Sequence, residues 1–224
     1  MIGTIVNFFA VIIGSSIGLI IHSKLPDRIV KIVFQGIGLL TLFIGIQMGL
    51  KTQNLLIMVF SIILGSITGE LLKIEERTER LAELLKKRIK SKNEKFTEGL
   101  ITSFLLFCMG SMSILGCIQE GLGSSPDLLL AKSTLDGFSS IALASSLGIG
   151  VMFSAIPLLI YQGGLTLFAS YLQHILTTPI INELTAVGGL LLLGLGINLL
   201  EIKKIKVLNM LPALVYAVIF AYFF

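Results

Sequence analysis

Apolar residues run along this chain in long continuous blocks, and the polar residues gather between the blocks. A helix needs about 20 mostly apolar residues to cross a hydrocarbon core of about 30 Å. Lipid offers backbone amides no partners, so helices are the default spanning element. Eight stretches fit, at roughly 2–21, 30–50, 54–72, 99–121, 132–151, 153–172, 184–200 and 207–223. The short alternating segments of a membrane β-barrel are a different pattern. The blocks predict an all-α polytopic bundle of about eight transmembrane helices, forming a single integral membrane domain over residues 1–224.

One polar block has order of its own. Ile74, Leu81, Leu84, Leu85 and Ile89 recur at helical spacing, and the second half of the block is basic, as in a helix lying on anionic headgroups. This predicts a cytoplasmic amphipathic connector helix over 74–95. The alternative is a regulatory or partner-docking helix.

Composition sharpens the class. Only 13% of residues are charged, against about 25% in soluble domains, while 54% are hydrophobic and the mean hydropathy is +0.96. These values exclude a disordered chain, a nucleic-acid-binding module and an ordinary soluble enzyme. The net charge of +4 has a location: 16 of the 30 charged residues lie between Glu70 and Glu98. With the N-terminus outside, 15 of the 17 Lys and Arg fall in cytoplasmic connections, leaving Lys51 and Lys132 outside. That bias predicts an N-out, C-out orientation. The first span lacks a basic leader and a small-residue cleavage site, so it is expected to remain as a helix. Cys108 and Cys117 read as core thiols.

Glycine occurs 23 times, largely inside the spans. Runs such as Gly14-Ser-Ser-Ile-Gly18 and Gly65-Ser-Ile-Thr-Gly69 let helix backbones approach closely. Gly38-Leu-Leu-Thr-Leu-Phe-Ile-Gly-Ile-Gln47 also echoes Gly189-Leu-Leu-Leu-Leu-Gly-Leu-Gly-Ile-Asn198, on spans that cross in opposite directions. An inverted-topology repeat predicts such an echo. Chance likeness between Gly- and Leu-rich helices is the alternative.

Candidate chemistry lies where polar groups enter the spans. Asp136 with Ser139, Ser140 and Ser146 falls near one face of the fifth span. An ionisable group there costs about 2.5–3.5 kcal/mol on insertion scales, so it usually faces the bundle interior or water. Two readings fit: a lined cavity, or an aspartate one turn inside the boundary that reaches water. In the sixth span, Pro157 and Gln162-Gly163-Gly164 suggest a discontinuous helix whose freed backbone faces a solute. A Pro-kinked packing helix with a satisfied Gln is the alternative. Glu183 reads as a carboxylate at the N-terminus of the seventh span, favoured by the helix dipole. No nucleotide loop, zinc spacing or nucleophile–base pair stands out, so neither an enzyme nor a cofactor is expected, and nothing fixes a metal.

Several runs carry a resemblance when taken together: Met1-Ile-Gly-Thr-Ile-Val-Asn7, Leu105-Leu-Phe-Cys-Met-Gly110, Asp136-Gly137 with Leu147-Gly-Ile-Gly150, Phe153-Ser-Ala-Ile-Pro157, Tyr161-Gln-Gly163 and Ala186-Val-Gly-Gly189. With them the chain resembles, over nearly its whole length, a bacterial membrane-protein family of unknown function. The resemblance implies a multi-pass protein of the bacterial inner membrane and supplies no activity. Asp136-Gly-Phe-Ser-Ser is also similar to the Asp-rich helices of small manganese-exporting proteins, but their second intramembrane aspartate has no match here.

The sequence thus predicts a small secondary transporter or ion-translocating protein for a small solute or cation, embedded in the lipid bilayer as a homo-oligomer. Asp136 would carry the coupling charge, Ser139 and Ser140 would supply oxygen ligands, and Gln162 with Gly163 would face the solute. Gln47, Gln119 and Asn198, at span ends, form a second tier. The competing class is a non-transporting scaffold or regulatory protein acting through the amphipathic segment.

Overall fold

The computed structural model describes residues 1–22, 26–88, 91, 93–108 and 110–223. Among them there is no strand. The helices are α1 (Ile2–His22), α2 (Asp27–Gly49), α3 (Leu55–Leu72), α4 (Ile74–Arg88), α5 (Phe96–Cys108) and α6 (Ser111–Gly121), then α7 (Asp127–Leu147), α8 (Gly150–Phe153), α9 (Ala155–Leu167), α10 (Ala169–Leu172), α11 (Thr178–Leu199) and α12 (Pro212–Phe223). Among the described residues four stretches are long and apolar enough to cross a membrane: Ile2–Ile21, Leu55–Leu72, Gly150–Leu167 and Thr178–Leu199. A fifth is the bent pair Phe96–Cys108 and Met112–Gly121, angled at 62°. Gln35–Gly49 and Val207–Phe223 are shorter apolar helices.

On α1 and α3 the small and polar residues are largely buried and most of the large apolar ones are exposed. On α1, Gly3, Thr4, Asn7, Val11, Gly14, Ser15 and Gly18 are buried, while Ile2, Ile5, Phe9, Ile13 and Ile17 are exposed. On α3, Ser61, Gly65 and Gly69 are buried while Leu56, Phe60, Ile63 and Ile67 are exposed. Water would select the reverse. This arrangement suits a lipid solvent, where exposed apolar surface costs nothing and small residues serve close packing.

The chain gathers into two compact units, one of residues 1–37 and 84–173, the other of residues 38–83 and 174–224. In the first unit α1 lies along α7 in parallel. A Cβ at Gly3 would sit 2.5 Å from Leu129 Cβ, and one at Gly18 would sit 2.8 Å from Ala144 Cβ. At Gly14 a Cβ would collide with the Gly137 carbonyl oxygen and the Ser140 hydroxyl, so only glycine admits this approach. α5 runs antiparallel to α7: Gly99 faces Leu147 at one end, and the Phe107 ring lies 5.8 Å from Lys132 Nζ at the other.

In the second unit the echoed segments of α2 and α11 pack against each other, antiparallel and reciprocally. A Cβ on Gly45 would lie 2.8 Å from the Gly189 carbonyl oxygen, and one on Gly196 would lie 3.1 Å from that of Gly38. Gly45 faces Leu193 while Gly196 faces Leu42. Gly38 faces Leu199 and Leu200 while Gly189 faces Met48 and Gly49. Each contact recurs with the two helices exchanged in the register of the echo, as a local two-fold axis requires. α3 and α12 also run antiparallel, with Gly65 against Ala213 and Gly69 against Asn209.

Three expectations need correction. α9 runs without a break through Pro157, Gln162, Gly163 and Gly164. Pro157 falls in its first turn, where a backbone donor is not needed, and Gly163 lies within the regular helix. Interruptions come instead at Ser154, between α8 and α9, at Gly148 (φ +79) and in the bend between α5 and α6. Second, α7 starts at Asp127, ahead of the expected start of the fifth span, so Lys132 lies inside the helix and not at its outer end. Third, α11 starts at Thr178 with Pro179 in its first turn, which puts Glu183 inside the helix. There its carboxylate accepts from Thr52 Oγ1 (2.7 Å), Gln53 N (2.5 Å) and Asn54 N (3.0 Å). It thereby stabilises the N-terminus of α3, where backbone donors lack helical partners.

α4 is the amphipathic segment, though residues 89, 90 and 92 of the expected 74–95 connector lie outside the described residues. Leu81 and Leu84 are exposed on it. Its first turn is tied down by Asn209, whose Oδ1 accepts from Glu75 N at 2.7 Å. Burial, reinforced by the nearby Glu79 carboxylate, holds the Glu75 carboxyl above its ordinary value of 4.5. A raised carboxyl favours the protonated form in the fold, so ionised Glu75 is a penalty at neutral pH. Glu75→Gln is expected to raise the unfolding temperature slightly at neutral pH. The gain should shrink on acidification and vanish below 4.5, where Glu75 is protonated folded or unfolded. Thermal scans in detergent across this range check the sign, and a gain that persists at low pH would refute the cause.

Candidate functional site

The first unit holds a buried polar cluster built from four helices. On α7, Lys132 and Asp136 are one turn apart and 6% and 4% exposed. An i,i+4 spacing puts both on one helix face, while Leu135 and Phe138 on the opposite side are exposed. Lys132 Nζ donates to Asp136 Oδ1 at 2.5 Å and Oδ2 at 2.6 Å. The ammonium also lies 5.8 Å from the centre of the Phe107 ring.

Asn7 of α1 donates through Nδ2 to Asp136 Oδ2 at 3.0 Å and to Gln162 Oε1 of α9 at 3.2 Å. Asp136 dictates this amide orientation, because turning it over would set two acceptor oxygens together. Gln162 Nε2 then donates to Ser113 Oγ of α6 at 3.4 Å, and Ser113 donates to the Phe107 carbonyl at 2.8 Å. One turn away, the hydroxyls of Thr4 and Thr166 meet at 3.3 Å. Asn7 Oδ1 is buried and has no hydrogen-bond partner among the described residues. Oxygens dominate the cluster, so it suits a proton or a hard cation.

At the neighbouring end of this unit, Glu120 Oε1 accepts from Gly3 N at 2.7 Å and lies 3.2 Å from the Met1 amine. Among the described residues no group of three His, Cys, Asp or Glu side chains gathers to hold a metal.

Of the residues predicted from sequence, Asp136 and Gln162 meet through Asn7. Gly163 adjoins Gln162 inside a regular helix. Ser140 spends its hydroxyl on the Gly137 carbonyl at 2.8 Å, and Ser139 is half-buried. Gln119 is exposed beside an open cavity of about 610 Å³ that Ser124, Ser125 and Asp127 also line. Gln47 is exposed in the second unit. Asn198 closes the loop after α11, accepting from Ile205 N at 2.7 Å and donating to Ile205 O at 2.8 Å. Sequence reasoning missed Lys132 and Asn7. The signals available were the i,i+4 spacing of Lys132 and Asp136 and a lone Asn in an apolar helix.

The family model for a protein of unknown function, DUF554, matches residues 2–222. The chain belongs to that family. This DUF554 member is 37% identical over 220 residues to the uncharacterized membrane protein YdfK of Bacillus subtilis (strain 168), covering 96% of this chain and 93% of the relative. It is 36% identical over 222 residues to the uncharacterized protein YqgA of Escherichia coli (strain K12), covering 97% and 94%. No solved structure matches. With its apolar helices and a homologue named as a membrane protein, it is a membrane protein.

Proposed function

We propose that this protein is a small secondary transporter or ion-translocating protein, working as a homo-oligomer in the bacterial inner membrane, with Asp136 carrying the coupling charge for a cation or proton. The observation that carries this reading is the buried Lys132–Asp136 pair, linked through Asn7 to Gln162. Opposite charges inside a spanning bundle are costly to build and mark translocation paths. Lys132 acts as the resident counter-cation. An incoming proton or cation that neutralises Asp136 releases the ammonium, whose flexible stem carries it towards water. When the solute departs, the bare carboxylate draws the ammonium back. Solute binding and the ion pair therefore exclude each other, which is the requirement for coupling. Asn7 bonds Asp136 and Gln162 at once, so a change at Asp136 is felt on α1 and α9.

In this reading the chain crosses the membrane eight times, with both ends outside. Support comes from packing direction: α1 with α7 parallel, α2 with α11 and α3 with α12 antiparallel, as alternating spans require. The reciprocal α2–α11 contacts favour an inverted repeat. Reporter fusions near Asp127 are expected outside and fusions at Lys204 in the cytoplasm. A cytoplasmic Asp127 would overturn the orientation.

Flux tests the function. In proteoliposomes loaded to report proton and alkali-cation movement, Asp136→Asn should abolish coupled flux while the protein still elutes as wild type. Gln162→Ala should weaken solute affinity, since it removes hydrogen bonds and no charge. Unchanged coupling in Asp136→Asn would sink the reading and leave the scaffold alternative, which the exposed Leu81 and Leu84 of α4 favour.

A further inference from the structure

Beyond Asp136, the first unit continues into a second set of buried polar groups that the proposed site does not use. Ser15 of α1, Thr102 and Ser103 of α5, and Ser146 of α7 are all buried at 2% exposure or less. None of their hydroxyls has a hydrogen-bond partner among the described residues. That is unusual for helical Ser and Thr, which commonly return a bond to a carbonyl one turn back. Neighbours in the same unit do so: Ser16 bonds Ile12 O, Ser133 bonds Leu129 O and Ser154 bonds Val151 O. Four buried hydroxyls on three helices therefore stay unpaired where the local alternative was open to them.

Helix register puts these hydroxyls in sequence. α1 and α7 run in parallel with Gly14 opposite Gly137 and Ser140, so Ser15 stands near the level of Ser140, about one turn past Asp136. α5 runs antiparallel with Gly99 opposite Leu147, so Thr102 and Ser103 stand near the level of Leu143. Ser146 follows, next to Leu147, whose carbonyl accepts from Asn93 Nδ2 at 3.2 Å at the end of the unit. From Asp136 to Ser146 the rise is about 15 Å. The levels succeed one another at roughly one helical turn, about 5 Å along the axis.

We propose that Ser15, Thr102, Ser103 and Ser146 line a water-filled half-path that leads a proton or a small monovalent cation between the Asn93 end of this unit and Asp136. The proposal rests on the translocation reading above and adds the route to its charge. Neutral hydroxyls fit this class of ligand. They solvate a monovalent cation or relay a proton, whereas a divalent cation would need further carboxylates and an anion would need basic groups. The path ends at the ion pair, where Lys132 holds the carboxylate that the arriving cation would take.

Silver ion tests the route directly, because Ag+ is a small monovalent cation that captures thiols it can reach through water. In a full-length background carrying Cys108→Ala and Cys117→Ala, single Ser15→Cys, Thr102→Cys, Ser103→Cys and Ser146→Cys proteins are reconstituted and exposed to Ag+. Remaining thiols are then labelled with a fluorescent maleimide after denaturation. Leu143→Cys, at a buried apolar position between these levels, is the dry control. Capture by Ag+ should be at least tenfold faster at the four hydroxyl positions than at Leu143→Cys. Rates equal to that control would overturn the path. The Ser→Cys exchanges are near-isosteric, so if Thr102→Cys fails to elute as wild type, the serine positions decide. The two ideas fail separately. Fast capture with normal flux in Asp136→Asn keeps the path and removes the carboxylate's role, and slow capture with flux lost in Asp136→Asn does the reverse.

Discussion

Lys132→Met is expected to be among the most destabilising single substitutions in the first unit. It leaves the Asp136 carboxylate, 4% exposed, with the Asn7 amide as its one remaining side-chain donor among the described residues. Removing one partner of a buried ion pair typically costs about 3–5 kcal/mol, because the remaining charge stays desolvated. Asp136→Asn should cost less, although it removes the same pair. The freed ammonium sits on a flexible four-carbon stem and can extend towards the end of α7, whereas a carboxylate on one methylene cannot. The double variant Lys132→Met with Asp136→Asn should recover most of the loss, since neither charge is then left alone. Unfolding in mild detergent, read across the four proteins of this cycle, separates the pair from its parts. If Lys132→Met were as stable as wild type, Asp136 would be fully wetted, and the argument for a competing counter-cation would fail.

The second large effect belongs to the glycine seam of the other unit. Val at Gly45 or at Gly189 would drive a branched side chain into the facing backbone. A single Cβ already falls 2.8 Å from the Gly189 oxygen in one case and 2.6 Å from the Gly45 oxygen in the other. Overpacking a dense core costs about 1–3 kcal/mol, and here the obstacle is main chain, which cannot change rotamer. Gly45→Val and Gly189→Val should therefore each lower stability by at least that much, and by similar amounts. The double variant should cost less than the sum, because the first substitution already separates the helices. Gly36 is the control: a Cβ there meets nothing within 4 Å. Gly36→Ala is expected to be neutral or stabilising by about 0.5–1 kcal/mol through its helix propensity. Gly196→Val, at the position the local two-fold relation exchanges with Gly45, should cost about as much as Gly45→Val, and markedly unequal costs at Gly45 and Gly196 would argue against that relation.

Two kinds of information separate in this protein. The sequence by itself determined the helical class, the membrane setting, the amphipathic α4, the family and two members of the polar cluster. Asp136 and Gln162 stood out because a polar group in an apolar span is costly enough to be conspicuous wherever it packs. The echo between α2 and α11 was legible too, as a repeat of residue types, but not as a contact. Tertiary structure alone decided the partners. Lys132 read as the outer end of the fifth span, because charge bias assigns basic residues to span ends, and only the helix start at Asp127 carries it inside. Asn7 was invisible as a site residue until the parallel register of α1 on α7 brought its amide to Asp136. Glu183 and Asn198 turned out to hold backbone, the first at the start of α3 and the second at the loop to Ile205. The reason is physical. In lipid both the inside and the outside of a bundle are apolar, so hydrophobic periodicity marks where a helix crosses but carries little record of which face turns inward. Glycine contacts set that rotation and register, and a buried polar group then takes the partners they bring within reach.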